Sequence, residues 1–138
     1  MTTTPLDALA TLETMAADGR LAAFCGEHGI GLLVAFGSAV AVRDGDVDLA
    51  PRDLDLAVSG AHDVVGVTSA LVGLVGLDAV DVMDLDRAGI VARASVFERG
   101  LPLHEDDPGR FSREAMRALG MAADTAWVRD LQLDRLTS

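Results

Sequence analysis

Two aspartates at i and i+2, Asp53 and Asp55 in the run "RDLDLAV", have the types and spacing best suited to chemistry in this chain. Residues two apart in a β-strand share a face, so both carboxylates project together while Leu54 and Leu56 turn the other way. Carboxylates held that closely repel one another and are tolerated when a divalent cation lies between them. Mg²⁺ suits the pattern, because it takes one or two carboxylates together with phosphate oxygens. A third carboxylate, Asp81 in "VDVMDLDRA", completes a site for two metals about 4 Å apart if its strand lies beside the first. Ahead of both, an apolar run ends at Gly37-Ser38 in "LLVAFGS". Such a turn offers backbone N–H groups and a hydroxyl at the start of a helix, where phosphate is favoured. An Asp pair by itself is equally a cap or turn device; the order of the three features is what points to chemistry.

The elements that must position these residues follow from apolar spacing. Residues 5–28 carry Leu6, Leu9, Leu12, Met15, Leu21 and Phe24 at helical intervals, which predicts one helix or two short ones, with Gly19 an interruption and Gly29 a stop. Residues 31–36 form a continuous apolar run, as in a strand buried on both faces. Residues 39–52 begin apolar and become the turn-rich "RDGDVDLAPR", after which residues 53–59 predict a second strand. A helix is expected over 62–77, a strand over 79–85, a helix over 87–99 ended by Gly100, and a short edge strand over 101–104, where Pro102 is tolerated. Asp107-Pro108 opens a final helix whose apolar face includes Phe111, Ala115, Met116, Leu119, Ala126, Trp127 and Leu131, with Gly120 a candidate break. Strands alternating with helices predict an α/β (α+β) fold, a small mixed sheet backed by helices.

Composition bounds the chemistry. With 138 residues, half of them apolar, and a mean hydropathy of +0.32, the chain is expected to form one domain with a proper core. There is no Lys, Tyr or Asn, which excludes a Walker lysine, a Schiff base and a covalent lysyl-nucleotide. Of 22 acidic residues 17 are Asp, a residue for turns, caps and metal sites rather than helix interiors. The net charge of -11 argues against direct nucleic-acid binding, although a nucleotide can still enter with a divalent metal. Cys25 stands alone among apolar residues and reads as packing in a reducing compartment. No basic, apolar leader is seen, and the longest weakly polar run, residues 64–77, is shorter than the ~20 residues of a membrane span. A cytoplasmic location with no membrane partner is therefore expected.

Other features carry blander readings. Asp46 and Asp48 form an alternative i, i+2 pair, but Leu49-Ala50-Pro51 cannot continue a central strand, so Asp53 and Asp55 are preferred. The run Asp44-Gly45-Asp46-Val47-Asp48 lacks the Gly and Glu of a calcium loop and reads as a solvated loop. Asp84 and Asp86 read as exposed or capping residues. His28, His62 and His104 lack paired ligand spacing for zinc. Met116 and Trp127 suit a helix stripe that faces either the core or a partner.

The ordered set "LLVAFGS", "RDLDLAV" and "VDVMDLDRA", followed by "VFERGLPLHEDD", resembles the minimal nucleotidyltransferase (MNT) domains of the superfamily related to DNA polymerase beta. The resemblance spans about residues 30–108, the expected core of a single nucleotidyltransferase domain over 1–138, with 109–138 a C-terminal helical segment. It implies MgATP bound across Gly37, Ser38, Asp53 and Asp55, with Asp53, Asp55 and Asp81 as metal-binding and catalytic residues. It also implies AMP transfer to a hydroxyl with loss of pyrophosphate. The 14 residues between Ser38 and Asp53 exceed the family's spacer, and its Arg-Gly after the Gly-Ser turn is Ala41-Val42 here; Arg43 or Arg52 is the substitute phosphate contact. Domains of this kind typically act as antitoxins that transfer AMP to tyrosines of a HEPN-type toxin and can assemble with it. The alternatives are a binding antitoxin with weak or no catalysis, and a small-molecule nucleotidyltransferase completed by a second subunit.

Overall fold

In the computed structural model, which describes residues 2–137, Thr4 starts the first helix, α1 (Pro5–Asp18), with a capping box. The Thr4 hydroxyl accepts from the Asp7 N–H at 3.1 Å, and the Asp7 carboxylate accepts from the Thr4 N–H at 3.0 Å. Gly19, at φ +88°, breaks the amphipathic run, so the segment is two helices, α1 and α2 (Arg20–His28), and Gly29 ends the second.

The remaining elements are β1 (Leu32–Phe36), α3 (Ser38–Arg43), β2 (Leu54–Ser59), α4 (Val64–Val75), β3 (Val80–Asp84), α5 (Ile90–Arg99), β4 (Leu101–Glu105) and α6 (Arg110–Thr137). The strands form a sheet in the order β3-β2-β1-β4, with β1 antiparallel to β2 and β4, and β2 parallel to β3. This is the expected mixed sheet backed by helices. Pro102 sits on the edge strand β4, beside a register irregularity at Leu33 and Val34, where a missing N–H is tolerated.

Strand alternation divides the core in two. Leu33 and Ala35 of β1, with Leu54, Leu56 and Val58 of β2, pack against α1 to α4 through Leu9, Leu12, Cys25, Val40 and Leu71. Leu32, Val34 and Ala57 face the other way and pack against Val96 and Phe97 of α5 and Ala118 of α6. Burial in the first layer pushes the Cys25 thiol up to about 12, as befits a packing residue. Since Asp55 is two residues before Ala57, and Asp81 two before Met83, both carboxylates emerge on the α5–α6 side.

Several boundaries differ from those the sequence predicts: α4 is two residues shorter at each end than 62–77, and α6 opens at Arg110 rather than at Asp107-Pro108. The helix that the Gly37-Ser38 turn is expected to open is α3, which takes up residues 39–43 of the segment read as turn-rich, because the Ala39 and Val40 side chains are buried against the first layer. Helix α5 begins three residues late: the Asp84 carboxylate accepts from the Asp86 N–H at 3.0 Å and the Arg87 N–H reaches the Asp84 carbonyl at 3.2 Å, closing a turn instead. Helix α6 passes through Gly120 without a break. An interior glycine costs about 1 kcal/mol relative to alanine, and the preceding turns, anchored by Phe111, Ala115 and Ala118 in the second layer, offset it.

Candidate active site

The sheet register builds the site. Phe36, the last residue of β1, is paired with Asp55, and Asp55 is paired on its other side with Asp81. The chain leaving Phe36 turns at once through Gly37, at φ +78°, into α3, whose first residue is Ser38. A side-chain carbon at position 37 would run into the Asp55 carboxylate. Only glycine therefore lets the turn lie against that group, and it also accepts the left-handed backbone. Asp53 is exposed one residue ahead of β2, and Asp81 is exposed on β3. Gly37, Ser38, Asp53, Asp55 and Asp81 thus meet at one pole of the sheet.

The carboxylates interact. Partial burial, then the neighbouring charges of Asp81 and Asp53, raise the Asp55 carboxyl above the usual carboxylate range. Among the described residues no three His, Cys, Asp or Glu side chains converge into a ready-made metal cage. The carboxylates of Asp53 and Asp55 are of the donor type Mg²⁺ takes, one or two at a time, with water and substrate phosphates completing its shell. The raised Asp55 carboxyl and the bare Gly37 turn beside it are the features a metal–phosphate group would satisfy.

The spacer residues fall elsewhere. Helix α3 ends in a Schellman motif: the Asp46 N–H reaches the Ala41 carbonyl at 2.9 Å and the Gly45 N–H reaches the Val42 carbonyl at 3.1 Å, with Gly45 at φ +81°. Asp46 and Asp48 therefore lie in a turn and loop, whereas Asp55 is carried by β2 and Asp53 stands one residue ahead of it. Arg43 is engaged by Glu13 at 2.8 and 2.9 Å and by Asp44 at 2.6 Å, on the side away from the carboxylates' helices, and Arg52 is exposed in the loop. Arg43, expected as a substitute phosphate contact, is thus held by two acids. One residue passed over in the sequence is Arg99, the last of α5, which joins Asp46 at 3.2 Å across a cleft of about 200 Å³ that Gly37 also lines. Its only sequence signal is an arginine just before Gly100, since nothing in the spacing reveals which end of the sheet that helix reaches.

The opposite pole is structural. Ser59, almost wholly buried, donates to Asp86 at 2.7 Å and accepts from Arg110 at 2.9 Å, and the Gly60 N–H donates to Asp86 at 2.8 Å. Partial burial works to raise the Asp86 carboxyl, but these bonds, with the charges of Arg110 and Arg93, outweigh it and hold it below its ordinary value. Asp86 is a clasp between β2, the turn after β3 and α6.

No protein-family model matches the sequence, and no curated protein matches it. Solved structures do match the fold. A structure described as a tri-AMPylated Shewanella oneidensis HEPN toxin in complex with MNT antitoxin contains a chain 19% identical to this one, with a TM-score of 0.65 over 91% of this chain and 99% of that one. This chain shares its fold. A toxin–antitoxin structure with AMP-PNP matches at 19% identity and a TM-score of 0.65, over 88% of this chain and 98% of that one. A further toxin–antitoxin structure, MntA–HepT, matches at 19% identity and 0.61, over 88% and 97%. The expected mixed α/β architecture is therefore that of solved toxin–antitoxin chains over nearly their whole length. No helix among the described residues is long and apolar enough to cross a membrane.

Proposed function

We propose that this protein is a Mg²⁺-dependent nucleotidyltransferase that transfers AMP from ATP to a tyrosine hydroxyl of a HEPN-type toxin and so acts as its antitoxin. The observation that carries this reading is the alignment of Asp55 with Asp81 beside the bare Gly37 turn. Asp53 and Asp55 are the residues that would hold the metal with its triphosphate, and Asp81 the one for the second metal. Bound there, Mg²⁺ would neutralise phosphate charge and stabilise the charge that develops during transfer. Ser38 and the Gly37 turn would orient the phosphates, and Asp81, exposed on the strand next to Asp55, would help take the proton from the incoming hydroxyl. The oxygen attacks the α-phosphorus, the bond to the pyrophosphate oxygen breaks, and pyrophosphate leaves. No side-chain nucleophile is needed, because alignment and charge stabilisation carry such transfers.

The acceptor must come from another molecule, since the chain has no Tyr. Support for a HEPN-type partner comes from the fold shared with an MNT antitoxin solved on such a toxin. An unpartnered stripe on α6, with Met116 and Trp127 76% and 67% exposed, supplies a surface for it. The test is incubation with Mg²⁺, ATP labelled in the α-phosphate, and the HEPN-type protein encoded nearest to this one. Label on a toxin tyrosine, lost with Asp53→Asn plus Asp55→Asn, is expected. An unlabelled toxin in a complex shown to bind MgATP would overturn the catalytic reading and leave neutralisation by contact.

A further inference from the structure

We propose that Arg99 is the phosphate-binding cation of this site, held on Asp46 until nucleotide enters and then passed to the triphosphate; this deepens the nucleotidyl-transfer reading and rests on it. The pole that presents Asp53, Asp55 and Asp81 is acidic, and a triphosphate brings further negative charge; Arg52, beside Asp53, is exposed in the loop and does not line the cleft next to Gly37. Arg43 is spent on Glu13 and Asp44. Arg99 differs in place and in engagement. It ends α5, and two residues later Leu101 of β4 pairs with Ala35 of β1, two residues before Gly37. The end of α5 is therefore carried to the Gly37 end of the sheet, and the cleft between them is lined by Gly37, Ala41, Asp46, Glu98 and Arg99. Among the residues lining it Arg99 is the one positive charge, facing Asp44, Asp46 and Glu98.

Its hold on Asp46 is of the kind that exchanges readily. One guanidinium nitrogen, Nη1, reaches one carboxylate oxygen at 3.2 Å, and the two side chains are 72% and 50% exposed. Exposed single-contact pairs contribute little to stability. The planar fork of arginine prefers two parallel bonds, which a phosphate offers and this contact does not. Asp46 itself is fixed by the Schellman turn that ends α3, the helix Gly37 opens. The pair thus ties the two walls of the cleft together, and phosphate competes with Asp46 for the same guanidinium.

Calorimetric titration of the whole chain with MgATP tests this. Arg99→Ala and the length-preserving Arg99→Gln should each weaken binding about 10-fold or more, the worth of a hydrogen bond to a charged group. Asp46→Asn frees the arginine and should tighten binding. Adenosine, which has no phosphate, should bind all these variants as it binds the unaltered chain. Unchanged circular dichroism of Arg99→Gln separates the effect from misfolding. Unaltered MgATP affinity in both Arg99 variants, alongside loss in Asp53→Asn plus Asp55→Asn, overturns the role of Arg99 and leaves the nucleotidyltransferase reading standing. Weaker binding in Asp46→Asn overturns the exchange between Asp46 and phosphate. Failure of the unaltered chain to bind MgATP overturns both proposals.

Discussion

Asp55 of β2 stands directly across from Asp81 of β3 in the parallel register, and its carboxylate fills the space where a Gly37 side chain would be. The raised carboxyl has a defined consequence for stability. Unfolding returns Asp55 to its ordinary value, so between that value and the higher folded one the folded chain binds the extra proton. Stability contributed by Asp55 is full below the ordinary carboxylate value and is lost as pH rises through the folded value. Asp55→Asn should therefore flatten thermal stability against pH in that window and raise the neutral-pH midpoint slightly, by no more than about 4 °C. A melting series from mildly acidic to neutral pH checks it; a midpoint lowered at neutral pH would contradict the repulsion.

Asp86 gives the opposite sign. Its carboxyl is held low by Gly60, Ser59 and Arg110, so its contribution is present above the ordinary carboxylate value and disappears as pH falls through the folded one. Ser59→Ala removes the hydroxyl shared by Asp86 and Arg110 and should cost about 1–3 kcal/mol. Because the clasp lies at the far pole, MgATP affinity should stay as in the unaltered chain. Denaturant titration paired with calorimetry checks both halves.

Gly37→Ala tests the bare turn. The substitution meets a positive φ and the Asp55 carboxylate together, so destabilisation of roughly 1–3 kcal/mol is expected, with Asp55 displaced. MgATP binding should fall more than stability alone explains, read at a temperature where the variant remains folded. Equal affinity in the folded variant would show that the turn does not shape the site.

Gly45→Ala strains only the Schellman turn, at a cost of about 1–2 kcal/mol for a left-handed non-glycine residue. The turn orients Asp46 toward Arg99, so their exposed pair should loosen while Asp55 and Asp81 stay in register. Chemical-shift mapping should show changes at α3 and Arg99 and none at β3.

Much of this arrangement is legible in the sequence because strands announce themselves by alternation. The i, i+2 spacing singles out Asp53 and Asp55, of which β2 carries Asp55, and Gly37-Ser38 marks the end of an apolar run. Arg99 and the Ser59–Asp86–Arg110 clasp are not legible, since each depends on which strand lies beside which. The pairing of Ala35 with Leu101 brings the end of α5 to Gly37, and local spacing carries no trace of it. The extent of α3, the helix that Gly37-Ser38 opens, is hidden for a related reason: six residues show too little periodicity, and the burial of Ala39 and Val40 decides. The fate of Arg43 likewise depends on Glu13, 30 residues earlier in the chain.

The α6 stripe gives the last prediction. Met116, Trp127 and Leu131 fall within one side of the helix at 100° per residue, with Gly120 and Ala123 between them, and all three large residues are exposed. A stripe with large residues beside small ones can receive another helix closely. Trp127→Ala should change the stability of the chain by no more than about 0.5 kcal/mol, because an exposed side chain has little packing to lose. Under the antitoxin reading it should weaken binding to the toxin by about 2 kcal/mol or more, as expected of an aromatic anchor buried at an interface. Affinity and melting measured on the same preparations separate the outcomes. Loss of stability would place Trp127 in the fold of α6, whereas unchanged affinity would move the partner to another face and leave the Asp55–Asp81 site untouched.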